Sequence, residues 1–181
     1  IGSNWPPDTE VLLPFIREFE EQMKFIIAPH NIEEEHLARI EEGIPYKIIR
    51  YSQAKENTIS NYRVLLIDNI GMLTSLYRYG DFAYVGGAFG KSLHNTLEPA
   101  TFGMPLFFGN RSYQHVREAN DLLKLNGAFT VNDTKDLRYK FLTVWEEEEK
   151  QQQMAEICQN YVQTHTGATK KAVSYLERYL S

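Results

Sequence analysis

The stretch Tyr84-Val-Gly-Gly-Ala-Phe-Gly-Lys-Ser-Leu-His-Asn-Thr-Leu-Glu98, with Pro99 behind it, decides how this chain folds. It opens with a short apolar run, Phe82 to Val85, that reads as a buried strand. Gly86 and Gly87 end the strand and let the backbone turn without a Cβ in the way. A loop with Gly90 and Lys91 follows, and His94 to Glu98 looks like the start of a helix. Strand, glycine turn, polar loop and helix start place free backbone N–H groups at the mouth of a sheet. Anions such as nucleotide phosphates bind well there.

The flanking sequence repeats this alternation. Upstream, Lys24 to Ala28, Tyr46 to Tyr51 and Val64 to Ile67 are short apolar runs of strand length. Downstream, Pro105 to Phe108 and Ala128 to Val131 are two more. Helical patterns separate them: Val11 to Phe19, with Asp8 or Thr9 as cap and Pro14 expected to kink or restart it; Ile32 to Glu42, stopped by Gly43; and Met72 to Tyr79. Asn95 to Phe102, Val116 to Leu125 with Gly127 past its end, a helix from Asp133 or Thr134 toward Trp145, and Ala168 to Leu180 complete the set. Six short strands separated by helices predict an α/β fold, a Rossmann-like six-stranded parallel sheet with helices on both faces. Residues 1–181 read as one such domain. The opening Ile1-Gly2-Ser3-Asn4-Trp5 reads as the tail of a strand running into a loop, as though continuing from a longer protein.

Composition narrows the function. The net charge of −5 argues against a nucleic-acid surface. No apolar run reaches membrane-spanning length. Cys158 is the single cysteine, so an internal disulfide is impossible, and its polar helical setting reads as a plain structural thiol. The run at Glu146 reads as a solvated helix face. No cluster has metal-ligand spacing, since His94, His115 and His165 are far apart and Asp68 stands alone.

In a parallel sheet, ligands bind outside the carboxyl ends of the strands. Polar groups follow nearly every strand here: Pro29-His30, Asp68 to Gly71, the glycine stretch, Gly109-Asn110-Arg111, and Ser3-Asn4 if Ile1 ends a strand. Glu98 is either a carboxylate favoured by the helix start or a bidentate acceptor for two ribose hydroxyls. Lys91 and Arg111 are cations able to meet a phosphate or carboxylate. His30 alone is equally a loop cap, and Gly86 and Gly87 alone could serve only helix–strand packing.

Taken in order, Asp68-Asn69-Ile70-Gly71-Met72-Leu73, Leu76-Tyr77, Tyr84-Val85-Gly86-Gly87 and His94-Asn95-Thr96-Leu97-Glu98-Pro99-Ala100 resemble the Kdo transferase family. Its members move 3-deoxy-D-manno-octulosonic acid (Kdo) from CMP-Kdo to lipid A precursors. Gly2-Ser3-Asn4-Trp5 and Ala28-Pro29-His30 match that family too, and the resemblance spans nearly the whole chain, but only the C-terminal half of a member. It implies a GT-B architecture whose C-terminal domain holds the donor. The donor contacts carried over are Pro29 and His30, then Ile70, Gly71 and Met72, then Asn95, Thr96, Leu97 and Glu98. Ser3, Asn4, Gly86, Gly87, Lys91 and Arg111 are further candidates.

Two departures stand out. Many members have Gly-Gly-His-Asn where this chain has Ser92-Leu93-His94-Asn95, and a Glu where Met72 stands. The resemblance also implies a general base in an N-terminal domain outside this chain. It implies no metal or other cofactor, the last helices packing toward the N-terminal domain, and a full-length protein at the cytoplasmic face of the bacterial inner membrane, with lipid A precursor as acceptor. The isolated chain is then expected to bind CMP or CMP-Kdo weakly and not to catalyse transfer. The competing expectations are another GT-B glycosyltransferase, a UDP-sugar 2-epimerase, or a non-catalytic interaction module.

Overall fold

A computed structural model describes residues 1–45, 47–167 and 172–177. Through residue 167 they form seven strands and seven α-helices in nearly strict alternation. These are β1 (Gly2–Asn4), α1 (Pro6–Phe19), β2 (Phe25–Pro29), α2 (Glu34–Gly43), β3 (Ile48–Arg50), β4 (Val64–Leu66) and α3 (Leu73–Leu76). Then come β5 (Ala83–Val85), α4 (Leu97–Thr101), β6 (Leu106–Gly109), α5 (Arg117–Lys124), β7 (Ala128–Val131), α6 (Thr134–Trp145) and α7 (Glu148–Thr164). The sheet is wholly parallel, in the order β3-β4-β2-β1-β5-β6-β7. The α/β Rossmann-like class expected from the sequence is the one found.

The strand count differs by one. The extra strand is β1, the piece that reads in sequence as a tail. Three residues are too few to show a period, yet this strand is central: Gly2 lies opposite Ala28 of β2 on one side and Val85 of β5 on the other. The chain builds one half of the sheet from β1 through β4 and then crosses β1 to build the other half. The order therefore reverses between β1 and β5, and the crevice beyond their carboxyl ends is the expected ligand position for such a sheet.

Alternating residues of the inner strands face opposite layers. Tyr84 and Phe107, paired across β5 and β6, face one layer with Phe15, Phe19, Phe141 and Val144 of α1 and α6. Ala83, Val85, Leu106 and Phe108 face the other, with Ala100, Leu122, Cys158 and Tyr161 of α4, α5 and α7. Leu137, Phe141 and Val144 recur at helical spacing, as do Met154, Cys158 and Tyr161. Each fully buried large apolar side chain contributes about 2–3 kcal/mol. Cys158 is buried among them, its thiol donates to the Gly127 carbonyl at 3.2 Å, and burial pushes it up to about 12.

Several local expectations are corrected. α1 begins at Pro6, with Trp5 as N-cap, rather than being capped at Asp8 or Thr9, because two prolines fit the first helical turn where N–H groups have no partner. Asp8 sits at the third position and accepts from the Trp5 N–H at 2.9 Å. Pro14 neither breaks nor restarts α1, since it lies on the exposed side of the helix, where the carbonyl it frees can meet water. Gly127 lies past the end of α5 as expected, and Asn126 before it is left-handed at φ 62°. The expected last helix, Ala168 to Leu180, lies partly outside the described residues; 172–177 are helical.

Candidate functional site

At the reversal point the chain passes close to itself. A Cβ on Gly86 would lie 2.4 Å from the Ser3 carbonyl oxygen and from the Asn4 Cα, so only glycine lets β5 leave the sheet alongside β1. Gly87 then takes φ +98°, and a Cβ there would lie 2.2 Å from the Ser92 carbonyl and 2.8 Å from the His94 ring. Ser3 sits at φ 53°, a conformation that costs a non-glycine residue about 1–2 kcal/mol.

The buried carboxylate of Asp8 holds this crossing together. It accepts from Trp5 N–H, from Gly87 N–H at 2.9 Å and from the Tyr84 hydroxyl at 2.9 Å. Burial and that carboxylate push the Tyr84 hydroxyl far up. The free N–H groups expected in this stretch are not those of the two glycines. The Gly86 N–H is bonded to the Gly2 carbonyl and the Gly87 N–H to Asp8, so neither is free for a ligand. The backbone N–H groups of Ala88, Phe89, Lys91 and Ser92 on the same loop find no acceptor among the described residues.

Three rings converge above the crossing. The Trp5 indole Nε1–H donates to His94 Nε2 at 2.9 Å, and the two rings lie within 10° of parallel. The exposed His30 ring lies across both, its centroid 4.3 Å from Trp5 and 4.4 Å from His94. Burial lowers the His94 pKa below the ordinary histidine value, and His30 beside it adds to the effect. His30 is fixed from below through its backbone, whose N–H donates to the Asn4 carbonyl at 3.0 Å. Asn4 Nδ2 donates to Thr9 Oγ1 at 2.9 Å, and Thr9 Oγ1 contacts His36 Nε2 at 3.0 Å, tying the end of β1 to α1 and α2.

A second group lies on the two loops beyond β4 and β5. The Glu98 carboxylate accepts from Asn95 Nδ2 at 3.1 Å and from Thr74 Oγ1 at 3.0 Å, one donor for each oxygen. Asn95 Oδ1 in turn accepts from the Leu97 N–H at 2.9 Å. The 70–74 turn and the 95–98 turn are thus bound to each other. Ile70 is 85% exposed, an unusual position for an isoleucine, and Gly71 beside it is exposed, while Met72 is half-buried. The helix expected from Asn95 is the five-residue α4, starting at Leu97, so its dipole is small and recognition there falls to side chains. Thr96 Oγ1 and Asn4 Oδ1 are buried without a protein partner, each a cost of about 1–3 kcal/mol unless water or a ligand meets it.

Of the residues expected at the site, Ser3, Asn4, Pro29, His30, Gly86 and Gly87 belong to the crossing. Asn95 and Glu98 share a hydrogen-bond cluster, with Thr96 and Leu97 between them. Arg111 lies over the Phe89 ring at 5.7 Å, and Lys91 is exposed on the same loop; neither forms an ion pair among the described residues. The sequence did not single out Trp5, Asp8, Thr74 or His94 as site residues. Trp5 follows directly on a strand end, which is a usable signal, whereas Thr74 has none. The Asp68 carboxylate accepts from the backbone N–H and the hydroxyl of Ser52. Among the described residues no group of three His, Cys, Asp or Glu side chains is placed to hold a metal, and no helix is long and apolar enough to cross a membrane.

No protein-family sequence profile matches the chain. Individual proteins do. It is 36% identical over 125 residues to the 3-deoxy-D-manno-octulosonic acid transferase of Chlamydophila psittaci, a match covering 67% of this chain and 28% of that protein. It is 32% identical over 143 residues to the enzyme of that name from Aquifex aeolicus, covering 75% of this chain and 38% of that one. Among solved structures, the C-terminal CMP-Kdo binding domain of WaaA from Acinetobacter baumannii superimposes with a TM-score of 0.76 at 20% identity, over 90% of this chain and 86% of that domain. The matched segment is therefore well under half the length of the full relatives, and the fold is that of a GT-B C-terminal domain. The ordered motifs, the fold and these matches agree: the chain belongs to the 3-deoxy-D-manno-octulosonic acid transferase family.

Proposed function

We propose that the chain is the donor-binding part of a glycosyltransferase and holds CMP-Kdo in the crevice where the strand order reverses. The observation that carries this reading is the Glu98 carboxylate. Both its oxygens are held by single donors, and each retains a free lone pair for a ribose hydroxyl. Around it, the exposed turn Ile70-Gly71-Met72 offers backbone to the base, and Pro29, His30, Asn95, Thr96 and Leu97 complete the wall. Ser3, Asn4, Gly86 and Gly87 shape the floor, while Lys91 and Arg111 stand at the rim as counter-charges.

In the full-length protein, a carboxylate of another domain takes the proton of an acceptor hydroxyl on a lipid A precursor. That oxygen attacks the anomeric carbon of Kdo, the bond to the phosphate oxygen breaks, and CMP leaves with the electron pair. The departing charge is met by N–H donors and cations of this chain without a resident metal or other cofactor. The full-length protein works at the cytoplasmic face of the bacterial inner membrane, and this chain alone binds donor but does not turn it over.

A CMP titration followed by backbone NMR tests the reading. Shifts confined to residues 29–30, 70–74 and 94–98, with UDP a weaker competitor than CMP, are expected. Tighter UDP binding would point to another GT-B glycosyltransferase or a 2-epimerase, and no response to any nucleotide to an interaction module. Turnover of a lipid A precursor by the purified chain would overturn the division of labour.

A further inference from the structure

Indole nitrogen can only donate a hydrogen bond. Its 2.9 Å contact with His94 Nε2 therefore requires a lone pair on that nitrogen. A neutral imidazole has one N–H, so the proton of His94 must sit on Nδ1. Protonating the ring would put a second N–H on Nε2, directly against the indole N–H. His94 Nδ1 has no hydrogen-bond partner among the described residues, although the ring is half-buried.

From this geometry we infer that Trp5 is a positioning residue: it locks His94 as the uncharged Nδ1–H tautomer and so offers one aimed donor to an anionic oxygen of the sugar donor. This rests on the donor-binding reading above for its ligand, but not for the tautomer. The surroundings agree with it. His30 covers the Trp5–His94 pair at 4.3 and 4.4 Å and leaves the stacked face of the His94 ring little contact with water. Asp8, the charged group on the α1 side, spends its oxygens on Trp5 N–H, Gly87 N–H and the Tyr84 hydroxyl, and makes no bond to His94. Gly87 lets the ring lie flat on the turn, since any Cβ there would meet it. An uncharged donor suits a site that must release CMP after transfer, because a neutral hydrogen bond to an anion is weaker than a charge-assisted one.

Long-range ¹H–¹⁵N correlation of the five histidine rings in the purified chain at pH 7 tests the lock, with His94 assigned by the loss of its signals in His94→Asn. The expected pattern is a protonated Nδ1 and an unprotonated Nε2. A protonated Nε2, or an imidazolium, overturns the proposal without any ligand present. Trp5→Phe keeps an aromatic ring over which His30 can stack but removes the N–H. The Nδ1–H pattern should then be lost and the His94 titration should move to higher pH; an unchanged pattern overturns the role of Trp5. Because the tautomer is read on the wild-type protein, with His94→Asn used only to assign its signals, a poorly folded Trp5→Phe leaves the test intact.

Two ligands then separate the sources of the anionic oxygen. CMP carries only phosphate, and free 3-deoxy-D-manno-octulosonate only carboxylate. A downfield shift of the His94 Nδ1–H with either assigns that group as its partner. Saturable shifts elsewhere on the rim, with His94 unmoved by both, overturn the ligand-facing half. Failure of both ligands to bind overturns that half together with the donor-binding reading, while the tautomer measurement stands on its own.

Discussion

The two ends of the central strands are built from different materials. At the carboxyl end, β1, β2 and β5 run into turns where a carboxylate, three stacked rings and several backbone groups meet within hydrogen-bond distance. At the amino end lies a cavity of about 450 Å³, walled mainly by apolar side chains such as Phe15, Phe25, Tyr77, Phe82, Phe141 and Trp145. By size and apolar lining the cavity looks like a ligand site. Its wall also carries Gln22, Lys24, Tyr79 and Asp81, whereas the hydrogen-bonded Asp8 and Glu98 clusters and the stacked rings stand at the opposite end. Volume and recognition are thus separated along the same strands, and variants that act at one end only can break or sharpen the distinction.

The largest effect is expected from Phe141→Ala. The Phe141 ring is 3% exposed and packs edge-on against Phe15 at 5.1 Å, Phe19 at 5.3 Å and Phe82 at 5.0 Å. Truncating it enlarges a space that already exists and should cost about 3–5 kcal/mol in chemical denaturation. CMP affinity of the folded fraction should stay within twofold of wild type. A tenfold loss would show that the apolar end communicates with the rim, and the separation would fail.

Gly87→Ala strikes the rim through the backbone. The added methyl would sit 2.2 Å from the Ser92 carbonyl at a φ of +98°, so the turn must rearrange. A loss of about 1–3 kcal/mol is expected, smaller than for Phe141→Ala. The same movement pulls the Gly87 N–H from Asp8 and displaces His94, so CMP affinity should fall along with stability. Retained affinity would show that the turn shapes the fold and not the site.

Glu98→Gln separates affinity from stability. Glu98 is partly exposed, and the amide keeps its shape, so stability should change by less than about 0.5 kcal/mol. CMP binding should weaken about tenfold, about 1.4 kcal/mol, because a charge-assisted pair of ribose contacts becomes a neutral one. Calorimetry with CMP and with 2′,3′-dideoxy-CMP reads this directly: the analogue should bind both proteins equally. If Glu98→Gln weakens both nucleotides alike, the carboxylate does not address the ribose.

How much of this was legible in the sequence follows from the range of each interaction. Strands β2 to β7 announce themselves by local apolar runs, and Gly86 and Gly87 by their place at a strand end. β1 does not, because its centrality depends on pairing with residues 26 and 83 positions away along the chain. The same holds at the site. Pro29, His30, Asn95 and Glu98 belong to recognisable local motifs. Trp5 meets His94 across 89 residues, and Asp8 meets Gly87 across 79, contacts that only the reversal of strand order creates. The free N–H groups of this stretch lie past the two glycines for the same reason: Asp8 arrives from α1 and takes the one on Gly87.

Thr74→Val should give the smallest effect, and it tests the rim most finely. Met72 gives this turn a half-buried thioether and no charged group. Two residues on, the exposed Thr74 hydroxyl donates to Glu98 Oε2 at 3.0 Å and supplies the turn's only side-chain hydrogen bond to Glu98 among the described residues. Valine keeps the branched shape and removes the donor. An exposed neutral-to-charged hydrogen bond of this kind contributes well under its buried value, so CMP affinity should fall only about two- to threefold, about 0.5 kcal/mol. The loss should be confined to nucleotides with ribose hydroxyls, since Thr74 acts by holding Glu98 and not by touching the base. Thr74→Ser retains the hydroxyl and should bind CMP like wild type. Equal weakening of CMP and its dideoxy analogue by Thr74→Val would mean that the two turns are joined for shape alone, and that Glu98 needs no second donor to aim it.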